Sequence, residues 1–502
     1  MPDDTENAKN LDLLVKIADA AADYIKDNEE RAYAIIKKKE WHKELYPLRS
    51  QSFENWLGFI NYKAFEEVAP HKLKSDATMH LEGVTRIDGK THEVGLRLIG
   101  NKDFVEIDLG DSNWQSVYIT KDGWEIGHHK NYFYRSKAMK ALAKPSRESI
   151  EIDWIETALN LKGRNYSKLI MGWLIGCFMP IGPKPLLVIQ GEQGSGKSLL
   201  ASILRKLVDP TKADKTSLPS SERDLYVQAQ NNFMLSFDNQ RTLYKKQSDW
   251  LCRMATGGGY STRRLYTNTE EEVFSMVRPI ILNGITQIAE QPDLIDRSIF
   301  INMPLIDPTI RKSESEILSS VDNLRPQIFG LICDSLVSIL GAKEKQNENL
   351  PRMADFARFV SKAEEHLEWQ DGEFVNAMNE NRLEALKELN EYDPLLNAIT
   401  TFATKKKRYG FVFQGTPTML LKHLTIETSS KHFKSGLPDN PATLSKRLNG
   451  LKPVLREMGI QITDKKSGDK REKRIDWIKI DENGTEGTGG TIDLGEFISN
   501  GA

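Results

Sequence analysis

Residues 191–198 read Gly-Glu-Gln-Gly-Ser-Gly-Lys-Ser, and their types and spacing point to phosphate chemistry. Glycines let consecutive backbone N–H groups curl around an anion, and a helix starting where such a loop ends adds the positive end of its dipole. Lys197 is spaced to reach β- and γ-phosphates, and Ser198 to ligate Mg²⁺. The apolar run at 186–189 reads as a strand and 199–204 as a helix, the setting this loop needs. A Gly-rich turn that happens to carry Lys and Ser is the bland alternative. Gly191, Glu192, Gln193, Gly194, Ser195, Gly196, Lys197 and Ser198 are the expected binding residues for ATP, with Mg²⁺ as its companion ion.

Hydrolysis needs further groups around the γ-phosphate. Residues 233–237 form an apolar run ending in Asp238-Asn239, and a carboxylate at such a strand end would share the Mg²⁺ with Ser198. A third apolar strand, 278–282, ends in Asn283-Gly284, where an amide can orient water. Arg297 follows in Asp296-Arg297-Ser298 and suits an arginine finger offered to a neighbouring subunit; a local pair with Asp296 is the competing reading. Lys197, Asp238, Asn239, Asn283 and Arg297 form the expected catalytic set, and Arg311 is the next phosphate-sensing cation.

These residues need elements to hold them. A first region, 1–148, reads as α+β: residues 11–39 and 53–68 have helical spacing, and short alternating strands follow up to 135. His128-His129 read as hairpin surface residues, since neighbours on a strand face opposite ways. Residues 143–151 read as a polar linker. Strands and helices then alternate from 149 to 345, as a P-loop α/β domain requires, and 311–340 reads as a helix packing back over the nucleotide as a lid. Residues 350–389 read as one long charge-rich helix within a connector at 346–392. A separate domain at 393–482 and a disordered, Gly-rich tail at 483–502 complete the order.

The chain has 502 residues, 39% hydrophobic and 28% charged, with a net charge of −2, so it is no polycation as a whole. Cys177, Cys252 and Cys333 are scattered without a C-x-x-C pair, which speaks for a reducing compartment and against a zinc site. The first residues lack a basic flank and apolar core, and no apolar run is long enough to span a bilayer, so a cytoplasmic chain without membrane partners is expected.

The order of phosphate loop, strand-end Asp238, Gly-rich basic hairpin, Arg278-Pro-Ile-Ile-Leu-Asn283-Gly, then Asp296-Arg297-Ser298 resembles the superfamily 3 type of AAA+ helicase. Within it, the chain is similar to replication helicases of phages, phage satellites and mobile genetic islands. The resemblance covers about residues 150–345. It implies an AAA+ core forming a homo-hexameric ring that translocates on DNA, with possible host or element-encoded replication partners. Asn239 departs from it, since many relatives carry adjacent acids there. A DNA-stimulated ATPase switch in transposition or phage defence, and a non-hydrolysing ATP-controlled initiator, stay open as alternatives.

The resemblance makes 255–266 the hairpin that grips DNA in the channel, through Arg263, Arg264 and the flat rings of Tyr260 and Tyr266; pairing of an arginine with the acids at 270–272 is the alternative. Between 401 and 480 there are 18 Lys and Arg against 7 Asp and Glu, a difference of +11 inside a chain of −2. Such segregation is a footprint for a polyanion. The order strand, helix, helix, hairpin reads as a winged helix-turn-helix, with Lys446 and Arg447 near the start of a recognition helix and Lys465, Lys466, Lys470 and Arg471 on the wing. A solvated hairpin tip is the bland alternative for the wing.

Overall fold

Helix α1 (Asp4–Ala21) ends well before the helical spacing does, and the chain turns into a hairpin of β1 (Ala22–Lys26) and β2 (Ala32–Lys37). This corrects the single helix expected over 11–39. Asp27 makes the turn: its Oδ1 accepts the backbone N–H groups of Glu29 and Arg31, both at 2.9 Å. Strand β3 (Lys43–Pro47), helices α2 (Gln51–Phe65) and α3 (His71–Asp88) and the short β4 (Lys90–Thr91) complete a four-stranded sheet, order β3-β2-β1-β4. Its small core gathers Leu14, Ala18, Ile36, Phe53, Leu57 and Leu81. The computed structural model describes residues 4–38, 42–152, 154, 156, 161, 165–263, 271–285, 288, 291–307, 309, 311–345, 349–406, 412–427, 436–467 and 470–478.

Strands β5 (Val94–Gly95), β6 (Leu98–Gly100), β7 (Phe104–Asp108), β8 (Gln115–Thr120), β9 (Gly123–His128) and β10 (Tyr132–Phe133) follow, with β6 to β9 an antiparallel meander. Val105, Ile107, Val117 and Ile119 share one core with Trp173, Leu187 and Phe329, so packing runs straight across the boundary drawn at 148. Arg97, fully buried, lies 3.0 Å from Asp209 and also donates to the carbonyls of Asp108 and Lys140. His129 is not a surface residue. Its Nε2 lies 2.9 Å from buried Asp108, whose other oxygen takes Arg135 Nε at 2.9 Å. Burial alone would raise the Asp108 carboxyl, but the His129 hydrogen bond and the Arg135 charge overcome it and hold it well below the usual range.

The central region comprises α4 (Tyr166–Cys177), β11 (Leu186–Gly191), α5 (Lys197–Val208), α6 (Glu222–Asn231), β12 (Leu235–Gln240), α7 (Lys245–Thr256), β13 (Tyr260–Arg263), β14 (Glu271–Phe274), β15 (Ile280–Gly284), α8 (Pro292–Ile295), β16 (Ser298–Met303) and α9 (Glu314–Gly341). Four strands make a parallel sheet in the order β12-β15-β11-β16. Both faces are covered, which is why these strands read as unbroken apolar runs. On β11, Leu187 and Ile189 face the core shared with the meander, and Leu186 and Val188 face a second core. Full burial of each such side chain contributes about 2 kcal/mol. Before β11, buried Lys184 donates its ammonium to the Met179 carbonyl just past the end of α4.

Helix α9 is not a lid. It packs along α5 and against β8 and β9, with Trp124 Nε1 donating to Asp334 at 2.7 Å. Among the described residues α9 is the one helix long and apolar enough to cross a membrane by length and composition. The supposed linker is packed as well: Ser146 N–H donates to the Pro326 carbonyl at 2.8 Å, and a Cβ at Gly330 would meet the Ser146 carbonyl oxygen at 1.8 Å.

The remaining elements are α10 (Ala354–Ser361), α11 (Glu373–Tyr392), α12 (Pro394–Lys406), β17 (Phe413–Gly415), α13 (Pro417–Glu427), α14 (Pro441–Glu457), β18 (Ile460–Ser467) and β19 (Lys470–Trp477). The expected single helix over 350–389 is broken. Buried Glu364 takes the backbone N–H groups of Gly372 (3.0 Å) and Phe374 (2.9 Å), and Gly372 adopts φ 77°. Helix α14 starts on an Asn440 cap, its Oδ1 accepting Thr443 N–H at 2.9 Å, and runs through Pro453 to Glu457. Leu386, Leu395, Leu444 and Leu448 join Leu186, Val188 and Phe300 in the second core, with α11 packed on β16 and later elements packed on α11 and α8.

Candidate functional site

Strand β11 runs into the 191–196 loop, and α5 starts at Lys197. Gly191, Gly194 and Gly196 adopt φ of 148°, 84° and 87°, left-handed geometry that a side chain resists. A Cβ at Gly191 would also lie 2.4 Å from the Met303 carbonyl oxygen. Ser195 is buried, while Glu192, Gln193 and Gly194 are exposed. Lys197 folds back over the loop, its Nζ donating to Glu192 O at 2.6 Å and Ser195 Oγ at 3.4 Å. Burial pushes its ammonium below the usual lysine range, against the pull of the Asp238 carboxylate. The loop therefore forms an open cradle with a cation at its floor and a helix N-terminus behind it, which fits a phosphate group.

The sheet order brings the other expected groups to the same edge. Ser198 Oγ donates to Asp238 Oδ1 at 2.9 Å. The β12–β15 register slips between Phe237 and Gln240, a bulge that re-aims Asp238 and Asn239 out of the ladder. Asn239 takes φ 55°, and its N–H donates to Asn283 Oδ1 at 2.8 Å. Asn283 is buried on the strand between β11 and β12, and its Nδ2 has no hydrogen-bond partner among the described residues. A hydroxyl and a carboxylate in contact fit a hard divalent cation such as Mg²⁺. No group of three or more His, Cys, Asp or Glu side chains able to hold a metal occurs among the described residues.

Sequence reasoning missed two neighbours. Lys215 Nζ lies 3.9 Å from Asp238 Oδ2, carried there by the parallel bridge between Thr216 and Phe237. Glu388 of α11 accepts from Gln190 Nε2 at 2.8 Å, one residue before the loop, and also from Asn302 Nδ2 on β16. A single basic residue and a single acid in a charge-rich helix carried no sequence signal. Arg311 is nearby, since a Cβ at Gly194 would lie 3.5 Å from its guanidinium.

Arg297 sits apart from this cluster. It precedes β16, whose start pairs with the start of β11, whereas the loop leaves from the far end, where Gly191 pairs with Met303. At roughly 3.3 Å per residue, Arg297 lies about 20 Å along the strand from Met303 at the loop end. Arg297 forms an ion pair with Asp293 and donates to its carbonyl at 2.9 Å, and its buried Nε has no hydrogen-bond partner among the described residues. The competing pair with Asp296 is not formed: Asp296 takes Arg382 at 2.7 Å and Arg352 at 3.8 Å.

Of the expected nucleic-acid contacts, Arg263 ends β13 opposite Glu271 in the antiparallel register, and Arg264 and Tyr266 lie outside the described residues. Tyr260 stacks on Tyr226 with centroids 5.1 Å apart, so that ring is engaged inside the fold. In the C-terminal region Lys446 and Lys465 are exposed. Lys466, Lys470 and Arg471 continue the β18–β19 hairpin, with Lys466 opposite Arg471; their side chains lie outside the described residues. Arg447 is a correction. Its guanidinium donates to Gly436 O at 2.9 Å and reaches both Asp393 oxygens at 3.1 and 3.2 Å, tying α14 to the turn before α12. Lys473, from the same basic run as the wing, is buried against Asp464 and Asn449.

Residues 152–371 match the family model described as actinomycete integrative conjugative element replication protein. Residues 395–486 match the one described as AICE RepA C-terminal domain. The chain is thus similar to mobile-element replication proteins over its central and C-terminal regions. No curated protein matches it. Among solved structures, it is similar to the apo C-terminal region of NrS-1 at 14% identity and TM-score 0.38, covering 93% of this chain and 98% of that one. A JCV helicase bound to a small acetamide compound matches at 16% identity and TM-score 0.26, over 48% of this chain and 63% of that one. At these TM-scores the likeness defines neither fold nor activity here.

Proposed function

We propose that this chain is an ATP-driven DNA motor of the superfamily 3 AAA+ type, an ATP hydrolase and helicase that replicates a mobile genetic element. The observation that carries the reading is the contact of Ser198 with Asp238 at 2.9 Å beside Asn283. Groups from three separate stretches of sequence meet at one sheet edge, next to a loop shaped for phosphates. Lys197 and the backbone of 191–198 bind and orient the triphosphate, with Lys197 leaving the Glu192 carbonyl to do so. Ser198 and Asp238 would hold Mg²⁺, which neutralises phosphate charge when bound. The Nδ2 of Asn283, without a hydrogen-bond partner among the described residues, is a donor poised to fix a water, and Asn239 is held beside it.

Arg297 lies too far from its own loop to serve it, which favours delivery to a neighbouring copy in a ring, a hexamer by family resemblance. The β13–β14 hairpin, with Arg263, Arg264 and Tyr266, would grip a strand in the channel. Helices α13 and α14 with the β18–β19 hairpin would act as a winged helix-turn-helix on duplex, through Lys446, Lys465, Lys466, Lys470 and Arg471. The setting is cytoplasmic in this reading.

Strand displacement from a forked duplex tests it. Lys197→Ala is expected to abolish hydrolysis and unwinding, and Arg263→Ala/Arg264→Ala to hydrolyse ATP without unwinding. Normal unwinding by the double variant would remove the hairpin from the mechanism. Asn239 supports a second reading, an ATP-controlled initiator that does not turn over, because an amide stands where a second acid would act as base. Mg²⁺-dependent phosphate release by the wild-type chain separates the two.

A further inference from the structure

Helix α11 touches both ends of the proposed machinery. Asn381 clamps the Phe300 backbone on β16, accepting its N–H at 2.8 Å and donating to its carbonyl at 2.7 Å. The next residue, Arg382, bridges two carboxylates: its Nε lies 2.7 Å from Asp296 and its Nη1 lies 3.3 Å from Glu457. Asp296 caps α8 and is the neighbour of Arg297, while Glu457 ends α14, the helix that carries Lys446. Arg382, Asp296 and Glu457 side chains are 20%, 15% and 25% exposed, so water screens these pairs less than surface ones. Arg352 adds a parallel link, 3.2 Å from Asp293 and 3.8 Å from Asp296, and Asp293 is the partner of Arg297 itself.

We propose that Arg382 is a positioning residue that relays duplex occupancy of the C-terminal domain, through Glu457 and Asp296, to the presentation of Arg297. This rests on the reading above, in which Arg297 serves a neighbouring nucleotide and α14 faces duplex. A guanidinium is a planar fork with fixed donor directions, so its bonds to two carboxylates favour one relative placement of them. Duplex that engages Lys446 displaces α14, and Arg382 then gives up one carboxylate or drags the turn at 292–297 with it. Either response changes what holds Arg297. Further along α11, Glu388 holds Gln190 at the root of the loop, so the same helix is anchored to the site in its own subunit.

The test compares ATP turnover of the full chain with and without saturating duplex, in wild type, Arg382→Gln and Glu457→Gln. Wild type is expected to be stimulated about five-fold or more, and both variants to fall to about one-fold, while both variants still bind duplex to saturation. A merely structural role would lower turnover in both conditions and leave that ratio alone. If Arg382→Gln is too unstable to assay, Glu457→Gln removes only the C-terminal arm and reports the same ratio. Amide exchange across 291–298 gives a readout that needs no hydrolysis: duplex alters it in wild type and not in Arg382→Gln. Full stimulation in both variants, or an equal exchange response, overturns the relay. A wild-type chain that hydrolyses ATP and binds duplex with no response in either readout overturns the relay alone. One that neither hydrolyses ATP nor binds duplex also overturns the reading beneath it.

Discussion

Ser198 and Asp238 meet at 2.9 Å, joining the first turn of α5 to the bulged end of β12. The contact forms because β15 sits between β11 and β12, which sets the two strand ends one strand apart and lets the helix after the loop lean across.

Removing the charge while keeping the shape isolates that contact. Asp238→Asn is expected to lower ATP turnover by about two orders of magnitude, a loss typical of one preorganised electrostatic group. Steady-state phosphate release across a Mg²⁺ titration checks it, and turnover within a few-fold of wild type would place the essential acid elsewhere.

Arg297 offers a test in mixtures. Lys197→Ala and Arg297→Ala are each expected to be inactive alone. Mixed, they should recover part of the activity, because a subunit lacking Arg297 keeps its own loop and receives Arg297 from a Lys197→Ala neighbour. Mixtures as inactive as their components would mean that Arg297 does not act between subunits.

Asn239 holds φ 55°, where a β-branched residue is strained. Asn239→Val is expected to cost about 1–2 kcal/mol of stability, and Asn239→Gly to cost little of it. Urea unfolding of the three proteins reports the difference. Both variants keep the backbone N–H that Asn283 accepts, so any gap in turnover between Asn239→Gly and wild type belongs to the Asn239 amide.

Lys184 makes stability depend on pH in an unusual direction. Burial, reinforced by the Arg278 charge, lowers its pKa from 10.5 to about 8 even though the Cys177 site opposes the shift. Between those two values the unfolded chain holds the proton and the folded chain does not, so stability from this group rises with pH. Below pH 8 the buried charge is a full penalty. Lys184→Met should therefore be relatively more stable at neutral pH, and the difference from wild type should shrink between pH 8 and 10.5. Urea midpoints measured across that range decide it.

The glycine-rich turn between β11 and α5 was readable because Gly191, Gly194 and Gly196 are demanded by backbone geometry, which leaves a mark in residue type. The strand-end positions of Asp238 and Asn283 were readable for a similar reason, since a doubly covered parallel strand shows as an apolar run with a polar stop. The β1–β2 hairpin was not. Its Ala- and Ile-rich residues satisfy helical and strand spacing alike, and Asp27 decides between them through two backbone hydrogen bonds. Charge counting failed in the C-terminal region wherever a cation had an internal partner, as Arg447 has in Asp393 and Lys473 in Asp464. The break before α11 escaped notice because Glu364 looks like any acid in a charge-rich helix until its burial is known.

Leu187 and Ile189 belong to the core that also holds the meander, and Leu186 and Val188 to the core that also holds the helices beyond α11, so a single ribbon of β11 is the shared wall of two rooms. Neither the front nor the back of this molecule is a detachable accessory. Cutting the chain near 148 or 392 would expose apolar side chains of one of these two cores, and the fragment bearing the 191–196 loop is expected to aggregate.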